Sequence, residues 1–508
     1  MAILSKLNPT PTFPCYTGAY KVGSADIEVP IDELESPSPA PTNDIPTVSF
    51  RVFYPCQNDA QEKGVRWVPN PQREYIGAYA RFLGANSGLS QVFSLIPQLL
   101  YYITIPVHQN AAILEPPTTS KRWPVMIFSH GLGGSRNAYS HLVGSLASHG
   151  IVVIAPDHRD GSAPISFVHT QKGKLKKIEY RRVAHKASTE VYEARDEQLK
   201  IRLWELGLIH DALLKLDDGA TMKNVADNQV KDGGDPLLKS FSHKFSVREP
   251  GSIAFSGHSF GAVTMVQFVK SVFYRTGTHD ANYKPLLSLT EASSLVRQIT
   301  PKTSVALLDL WGLPIQSPAT RWLKEKPMPC YTSPEGGENL LAILSEAFYK
   351  WSSNLEEVKS VVAKPSRSKF SGQPGPHIFY PAASAHLSQS DFGVIMPFWL
   401  TSKIFGAKEP ERLLKLNVRA ILQVLRNSNM EVSATCVEDL ELDEKHLMTR
   451  PTGDEMILRR TKDSVRDWIS LSTHPEPLNL SQKKSNGAGD VMVEGEALGE
   501  VVSEPERQ

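Results

Sequence analysis

Short, continuous apolar runs punctuate the first two thirds of the chain and alternate with stretches whose apolar residues recur at helical spacing. Residues 47–54 (TVSFRVFY), 123–129 (WPVMIFS) and 151–156 (IVVIAP) have the length and the β-branched, aromatic content of strands. The last two carry no polar alternation, as expected of strands covered on both faces of a parallel sheet. Residues 20–29 alternate well enough to make a first strand, and 252–255, 305–308 (VALL) and 377–380 (HIFY) extend the series. Between them, residues 136–149 read as a helix stopped by Gly150, 190–216 as a long, charge-rich helix and 263–273 as another. Strands alternating with helices predict an α/β class fold, a doubly wound, mostly parallel sheet with helices on both faces.

The same pattern predicts the domain organisation. An extended, proline-rich arm occupies residues 1–45, a catalytic domain 46–400, a helical extension 401–475 with helices at 409–427 and 461–471, and a tail 476–508. Residues 481–508 are rich in Gly, Glu, Ser and Lys and contain no aromatic side chain, the composition of a disordered segment.

Composition mostly excludes. A formal net charge of +1 removes any global electrostatic argument for nucleic acid. The four cysteines, Cys15, Cys56, Cys330 and Cys436, lack C-x-x-C spacing, so neither a zinc site nor a disulfide framework is expected, and a reducing compartment fits. The N-terminal residues are broken by Lys6 and prolines and do not read as a signal peptide; Ala2 stands where myristoylation needs glycine. The apolar stretch 92–107 is interrupted by Ser94, Pro97, Gln98 and Pro106 and is too short to span a bilayer. The expected location is cytoplasmic, with peripheral membrane or micelle contact as the open question.

The candidate chemistry begins at Gly257-His258-Ser259-Phe260-Gly261. This is G-x-S-x-G, set after an apolar strand and before a helical run. Such a turn exposes the serine oxygen while the small flanking residues let strand and helix approach. A serine needs a histidine to take its proton and an acid to orient that histidine, and in this fold class they follow in the order Ser, acid, His. Asp309 ends the run at 305–308, where an acid faces the crevice. His386, in the loop 382–390 after the strand 377–380, is the leading base; His377 competes, while His446 and His474 rank low. The oxyanion of the tetrahedral intermediate needs backbone donors. Phe260 N–H is one, and Leu132, in the turn His130-Gly131-Leu132-Gly133-Gly134 after the strand 123–129, is the other. No cofactor or metal is called for.

The segments FSHGLGGSR, SLASHGIVVIAPDHRDGSA, SGHSFGA, LLDLW and SAHLSQSDF, in this order, resemble the platelet-activating-factor acetylhydrolase family, the plasma and intracellular type II group of the α/β-hydrolase superfamily. Weaker similarity includes GAYKVGSAD at 18–26, RVFYP at 51–55 and WVPN at 67–70, so the resemblance covers roughly residues 15–400. It implies calcium-independent hydrolysis of a short or oxidised sn-2 acyl ester of a phospholipid by a Ser259–Asp309–His386 triad, with Leu132 and Phe260 as the amide donors. The segments 260–308 and 311–376 and the chain beyond 400 look longer than the family pattern.

Other features have plainer readings. Residues 92–107 and 398–405 are candidate lipid contacts, with core packing favoured. The basic cluster Lys172, Lys174, Lys176, Lys177, Arg181, Arg182 and Lys186 reads as the solvated face of a hairpin turning at Lys172-Gly173. His149, His158 and His210 read as structural, with His158 placed to brace the site. The competing functions are a broader carboxylesterase or lipase and an inactive protein of the same fold. No protein partner is inferable.

Overall fold

The protein is described from a computed structural model, which defines residues 13–83, 100–170, 173–226, 235–276, 280–366, 369–370, 372–395, 408–435, 455–459 and 465–473, with the short strand pair Met492–Val493 and Glu496–Ala497. The expected tail, residues 398–405, His446 and His474 lie outside the described residues or, for the tail, nearly so. The principal elements are β1 (Val22–Pro30), β2 (Thr47–Pro55), α1 (Gln72–Leu83), β3 (Trp123–Ser129), α2 (Ser140–Ser148), β4 (Val152–Pro156), β5 (Ile165–His169), β6 (Leu175–Glu179), α3 (Thr189–Asp217), β7 (Ile253–His258), α4 (Phe260–Phe273), β8 (Val305–Leu308), β9 (Leu340–Ile343), β10 (His377–Pro381), α5 (Pro410–Asn427) and β11 (Trp468–Ser470).

The central sheet runs β11-β10-β9-β8-β7-β3-β4-β2-β1. Strands β4, β3, β7, β8, β9 and β10 are mutually parallel, and β1, β2 and β11 pair antiparallel at the two sides. Successive strand residues face opposite sides, and the core divides accordingly. Val125 and Ile127 of β3 pack with α3 and α4, whereas Met126 and Phe128 pack with α2 and α5. This is the α/β-hydrolase arrangement, with helices on both faces.

Several expectations change. The strand read within the N-terminal arm is β1, nine residues paired along their length with β2, so residues 22–30 belong to the sheet. The helix expected at 136–149 begins instead at Ser140. The reason is remote in sequence: the Asp391 carboxylate accepts hydrogen bonds from Ser140 N (2.8 Å), Ser140 Oγ (2.5 Å) and His141 N (2.9 Å), together with Trp67 Nε1 (2.9 Å). An anion at the first free amides fixes where a helix starts. The helix expected at 461–471 is not what forms: residues 468–470 are β11, paired with β10, with Trp468 stacked on Phe379 at 5.3 Å. Strand β9 (LLAI) lies inside a segment that the sequence reading treated as an insertion. Helix α5 puts Leu416, Val418, Ile421 and Leu425 into the same core as β3 and α2, so the C-terminal segment completes one face of the sheet.

Leu100, Ile103 and Ile105 are buried, so this part of the apolar stretch 92–107 is core, while Tyr102 is exposed, at 61%; residues 92–99 lie outside the described residues. The basic cluster does lie on a hairpin, β5–β6, where Lys176 pairs with Asp44, Lys177 with Glu74 and Arg181 with Glu197. Lys172 is outside the described residues.

Helix α4 carries a buried amine. Lys270 Nζ donates to the Lys324 carbonyl at 3.2 Å, and burial, aided by Lys324, pushes its pKa from the ordinary 10.5 down to about 7. Between those values the unfolded chain binds the proton and the folded protein does not, so this group makes stability rise with pH from about 7 towards 10.5. Lys270→Met is expected to raise the urea midpoint at pH 7 and to flatten the slope. An unchanged slope in melts at pH 7 and 9.5 would count against it.

Candidate active site

Strand β7 delivers the chain to Ser259, whose backbone adopts φ 56° and ψ −116° before α4 begins at Phe260. A side-chain-bearing residue held there costs about 1–3 kcal/mol, and such strain persists only where surroundings over-determine it. Here they do. Ser259 N donates to Leu308 O at 2.8 Å, and both motif glycines are forced by contact. A Cβ on Gly261 would sit 2.0 Å from Ser129 O, and one on Gly257 would sit 2.5 Å from the Gly261 backbone. The strand-to-helix turn therefore exists because these two positions lack side chains.

Asp309 follows β8 with φ 43° and is fully buried. Its N–H donates to Ile343 O at 2.8 Å, its Oδ1 accepts from Ser345 N at 2.5 Å, and its Oδ2 accepts from His386 Nδ1 at 2.9 Å. Burial raises the carboxyl, but the neighbouring His258 and His386 rings outweigh it and hold the group below its ordinary range. His386 opens a short 3-10 turn, His386–Gln389, in the loop after β10. Phe348 stacks on its ring at 4.4 Å, and His258 lies against it at 4.4 Å and 32°. His258 is the chain neighbour of Ser259, so these contacts bring the imidazole to the serine. No direct hydrogen bond joins Ser259 Oγ to His386; catalytic contacts between a nucleophile and its base are often long before substrate is bound. His377 is elsewhere, with its Nε2 3.4 Å from Glu338.

The glycine turn after β3 supplies amides. Gly131 N donates to Tyr139 Oη (3.1 Å), Gly133 N to Ser162 O (2.8 Å) and Gly134 N to Gly131 O (3.1 Å). Leu132 N and Phe260 N have no acceptor among the described residues. Their directions follow from peptide planarity, since C=O and N–H of a trans unit point opposite ways. Gly131 O is held by Gly134 N and His130 Nδ1 (2.9 Å), which turns Leu132 N–H away from the loop interior; Ser259 O is held by Ala262 N and Val263 N, which does the same for Phe260 N–H. Gly131 approaches the serine so closely that a Cβ on it would lie 3.0 Å from Ser259 Cβ.

Beneath this loop lies a sealed polar cluster. His158 joins Ser129 Oγ (2.9 Å) to Glu205 Oε2 (2.7 Å), as its expected bracing role implies, and Arg202 donates to Asp160 Oδ2 (2.7 Å), Ser162 Oγ (2.5 Å) and His130 O (2.8 Å). His149 lies against the hydroxyl groups of Thr17 and Ser433, and His210 against that of Ser294. Sequence reasoning missed Tyr139, Phe348, Ser345, Arg202 and Glu205. Only the last two left a trace, as charges within the apolar spacing of 190–216.

Of the expected site residues, Asp309 and His386 are hydrogen-bonded, and His258, next to Ser259, lies against the His386 ring. Over residues 6–441 the chain matches the family described as platelet-activating factor acetylhydrolase, isoform II. A putative phospholipase A2 of Schizosaccharomyces pombe is 28% identical over 82% of this chain and 92% of that protein. The platelet-activating factor acetylhydrolases of Bos taurus and Cavia porcellus are 32% and 30% identical, over 43% and 50% of this chain and 46% and 52% of theirs; the alignments thus span about half of each of these two relatives. Ferulic acid esterase from Streptomyces cinnamoneus aligns with 91% of this chain and 100% of its own at 14% identity and a TM-score of 0.49. With a match that extends across most of its length, the chain belongs to the platelet-activating factor acetylhydrolase, isoform II family.

Proposed function

We propose that the protein is a serine esterase that removes a short acyl group from the sn-2 position of platelet-activating-factor-like or oxidised phospholipids. The observation that carries this reading is the Asp309–His386 pair set beside a strained Ser259, with two amides, Leu132 N–H and Phe260 N–H, unassigned at the same place. Ser259 Oγ attacks the ester carbonyl carbon while His386 Nε2 takes its proton. The oxyanion receives the two amides, and Asp309 holds His386 in the tautomer that leaves Nε2 free. Collapse breaks the acyl C–O bond, and His386 returns the proton to the departing lysophospholipid oxygen. Water, deprotonated by His386, then cleaves the acyl-serine and releases the short acid.

The amides stabilise the developing charge, so no metal is needed. Among the described residues the three-donor cluster is His258, Asp309 and His386, and two nitrogens with one carboxylate do not match the oxygen-rich shell that calcium requires. No described helix is long and apolar enough to cross a membrane, which suits a cytoplasmic enzyme that meets its lipid at an interface or as a monomer.

The test is a substrate panel: acetyl and long-chain phosphatidylcholine and nitrophenyl esters, with and without EDTA. Turnover of the acetyl phospholipid, unaffected by EDTA and abolished in Ser259→Ala, is expected. Preference for neutral esters would favour a broader carboxylesterase, and failure of a fluorophosphonate to label Ser259 in folded protein would sink the enzyme reading.

A further inference from the structure

His258 is the variable position of the G-x-S-x-G turn, and a substituent there needs only to fit. This one meets a hydroxyl, a carboxylate and a second imidazole. Its Nδ1 lies 2.7 Å from Tyr139 Oη, its Nε2 lies 3.9 Å from Asp309 Oδ2, and its ring lies against His386. Tyr139 Oη in turn is the acceptor for Gly131 N–H, in the turn that carries Leu132. One phenol oxygen therefore touches the oxyanion turn, and through one imidazole that oxygen is connected to the acid and the base.

We propose that Tyr139 and His258 form a positioning relay that fixes the oxyanion turn and the Asp309–His386 pair in a single geometry. The inference rests on the serine esterase reading above. Hydrogen-bond direction supports it. Because Gly131 N–H donates to Tyr139 Oη, the phenol hydrogen is free to donate onward, and its partner at 2.7 Å is His258 Nδ1. An accepting Nδ1 carries no hydrogen, so the ring is neutral and its single N–H is on Nε2, the nitrogen nearest Asp309. Burial, reinforced by His386, pushes the His258 pKa down to about 4, in the same sense.

The consequence is a neutral donor beside a carboxylate that already serves a second imidazole. At 3.9 Å this is a dipolar contact rather than a hydrogen bond. It adds a weak stabilisation of the Asp309 charge without a competing cation when His386 takes the serine proton. The groups packed around His258 are accounted for: Asp309 and His386 on one side, Tyr139 on the other, and no other charged group in bond or ring contact among the described residues. Both members are buried, His258 at 2% exposure and Tyr139 at 5%. They act through the turn and the acid–base pair and are positioning residues rather than catalytic ones.

Three variants test the relay. Tyr139→Phe removes one oxygen, His258→Phe keeps a ring against His386 but removes both nitrogens, and His258→Asn restores an acceptor for Tyr139. Turnover of an acetyl ester, the rate of fluorophosphonate labelling of Ser259 and thermal melting are measured for each and for the double Phe variant. Expected for both Phe variants is a fall in kcat of about tenfold or more with KM within about twofold, as when an interaction made in the transition state is lost. The labelling rate should fall in parallel. His258→Asn should recover much of the loss. In His258→Phe the acidic limb of the kcat/KM profile should move up by about half a pH unit, because Asp309 loses a donor and binds the protonated base more strongly.

The double variant should lose about as much as the worse single one, since either change opens the same relay. Labelling and kcat within twofold of wild type in the folded Tyr139→Phe protein would overturn the proposal, as would strictly additive losses. Failure of wild type itself to react with fluorophosphonate would instead remove the esterase reading on which the relay rests, so the two failures are told apart.

Discussion

Asp309→Asn is expected to lower kcat by about 10⁴-fold while leaving KM within a few-fold and the fold intact. The reason is an orientation that the structure decides in advance. Asp309 Oδ1 accepts Ser345 N–H at 2.5 Å and Oδ2 accepts His386 Nδ1–H at 2.9 Å. In asparagine one of these atoms becomes an amide nitrogen, which can face only an acceptor. Ser345 N–H is backbone and cannot change, so the amide oxygen takes the Oδ1 place and the NH₂ group faces His386. The ring then accepts at Nδ1 and carries its hydrogen on Nε2, where it cannot receive the proton of Ser259. Turnover of an acetyl ester, with the melting temperature as a control on folding, reads this directly. A variant within tenfold of wild type would mean that His386 is oriented by something other than Asp309.

The second large effect is on stability. Arg202→Met should cost about 3–5 kcal/mol, the range for removing one partner of a buried pair. Arg202 and Asp160 are both fully buried, and their 2.7 Å contact is part of a fan in which the guanidinium also donates to Ser129 Oγ (3.2 Å), Ser162 Oγ (2.5 Å) and His130 O (2.8 Å) and lies 4.6 Å from the centre of the Phe260 ring. Methionine fills much of the volume but leaves the Asp160 carboxylate in the interior without a cation. Because His130 O and Phe260 flank the two amides proposed to receive the oxyanion, the folded fraction should also turn over more slowly. Urea denaturation measures the first effect, and a loss below about 1 kcal/mol would show that Asp160 finds another partner or protonates.

What could be read from the chain alone was read where structure is local. The elbow at Ser259 was legible because its requirements, a strand, two residues without side chains and a helix, are contiguous. Asp309 and His386 were legible by order and by their place after strand ends, and the structure joins them at 2.9 Å. The helix α2 was set to begin four residues early because its N-terminal anion, Asp391, comes from beyond His386 in the chain. Helical spacing around Trp468 was misread for a related reason: a three-residue edge strand owes its form to the neighbour it pairs with, β10, and has no period of its own to display. The strand β9, LLAI, is as apolar as VALL, but only short turns and a four-residue helix lie between it and β8, so the chain lacks there the strand–helix alternation that marks the other strands.

The sequence by itself determined the fold class and the family, and it supplied the nucleophile and the order of its partners as expectations. These depend on period, on residue size at a turn and on spacing, all properties of neighbours along the chain. Tertiary structure alone decided which acid oxygen faces His386 and that His258 Nδ1 meets the Tyr139 hydroxyl. Each of those depends on a partner far away in the chain, Ser345 or Tyr139, and hydrogen-bond direction exists only once the partner has arrived.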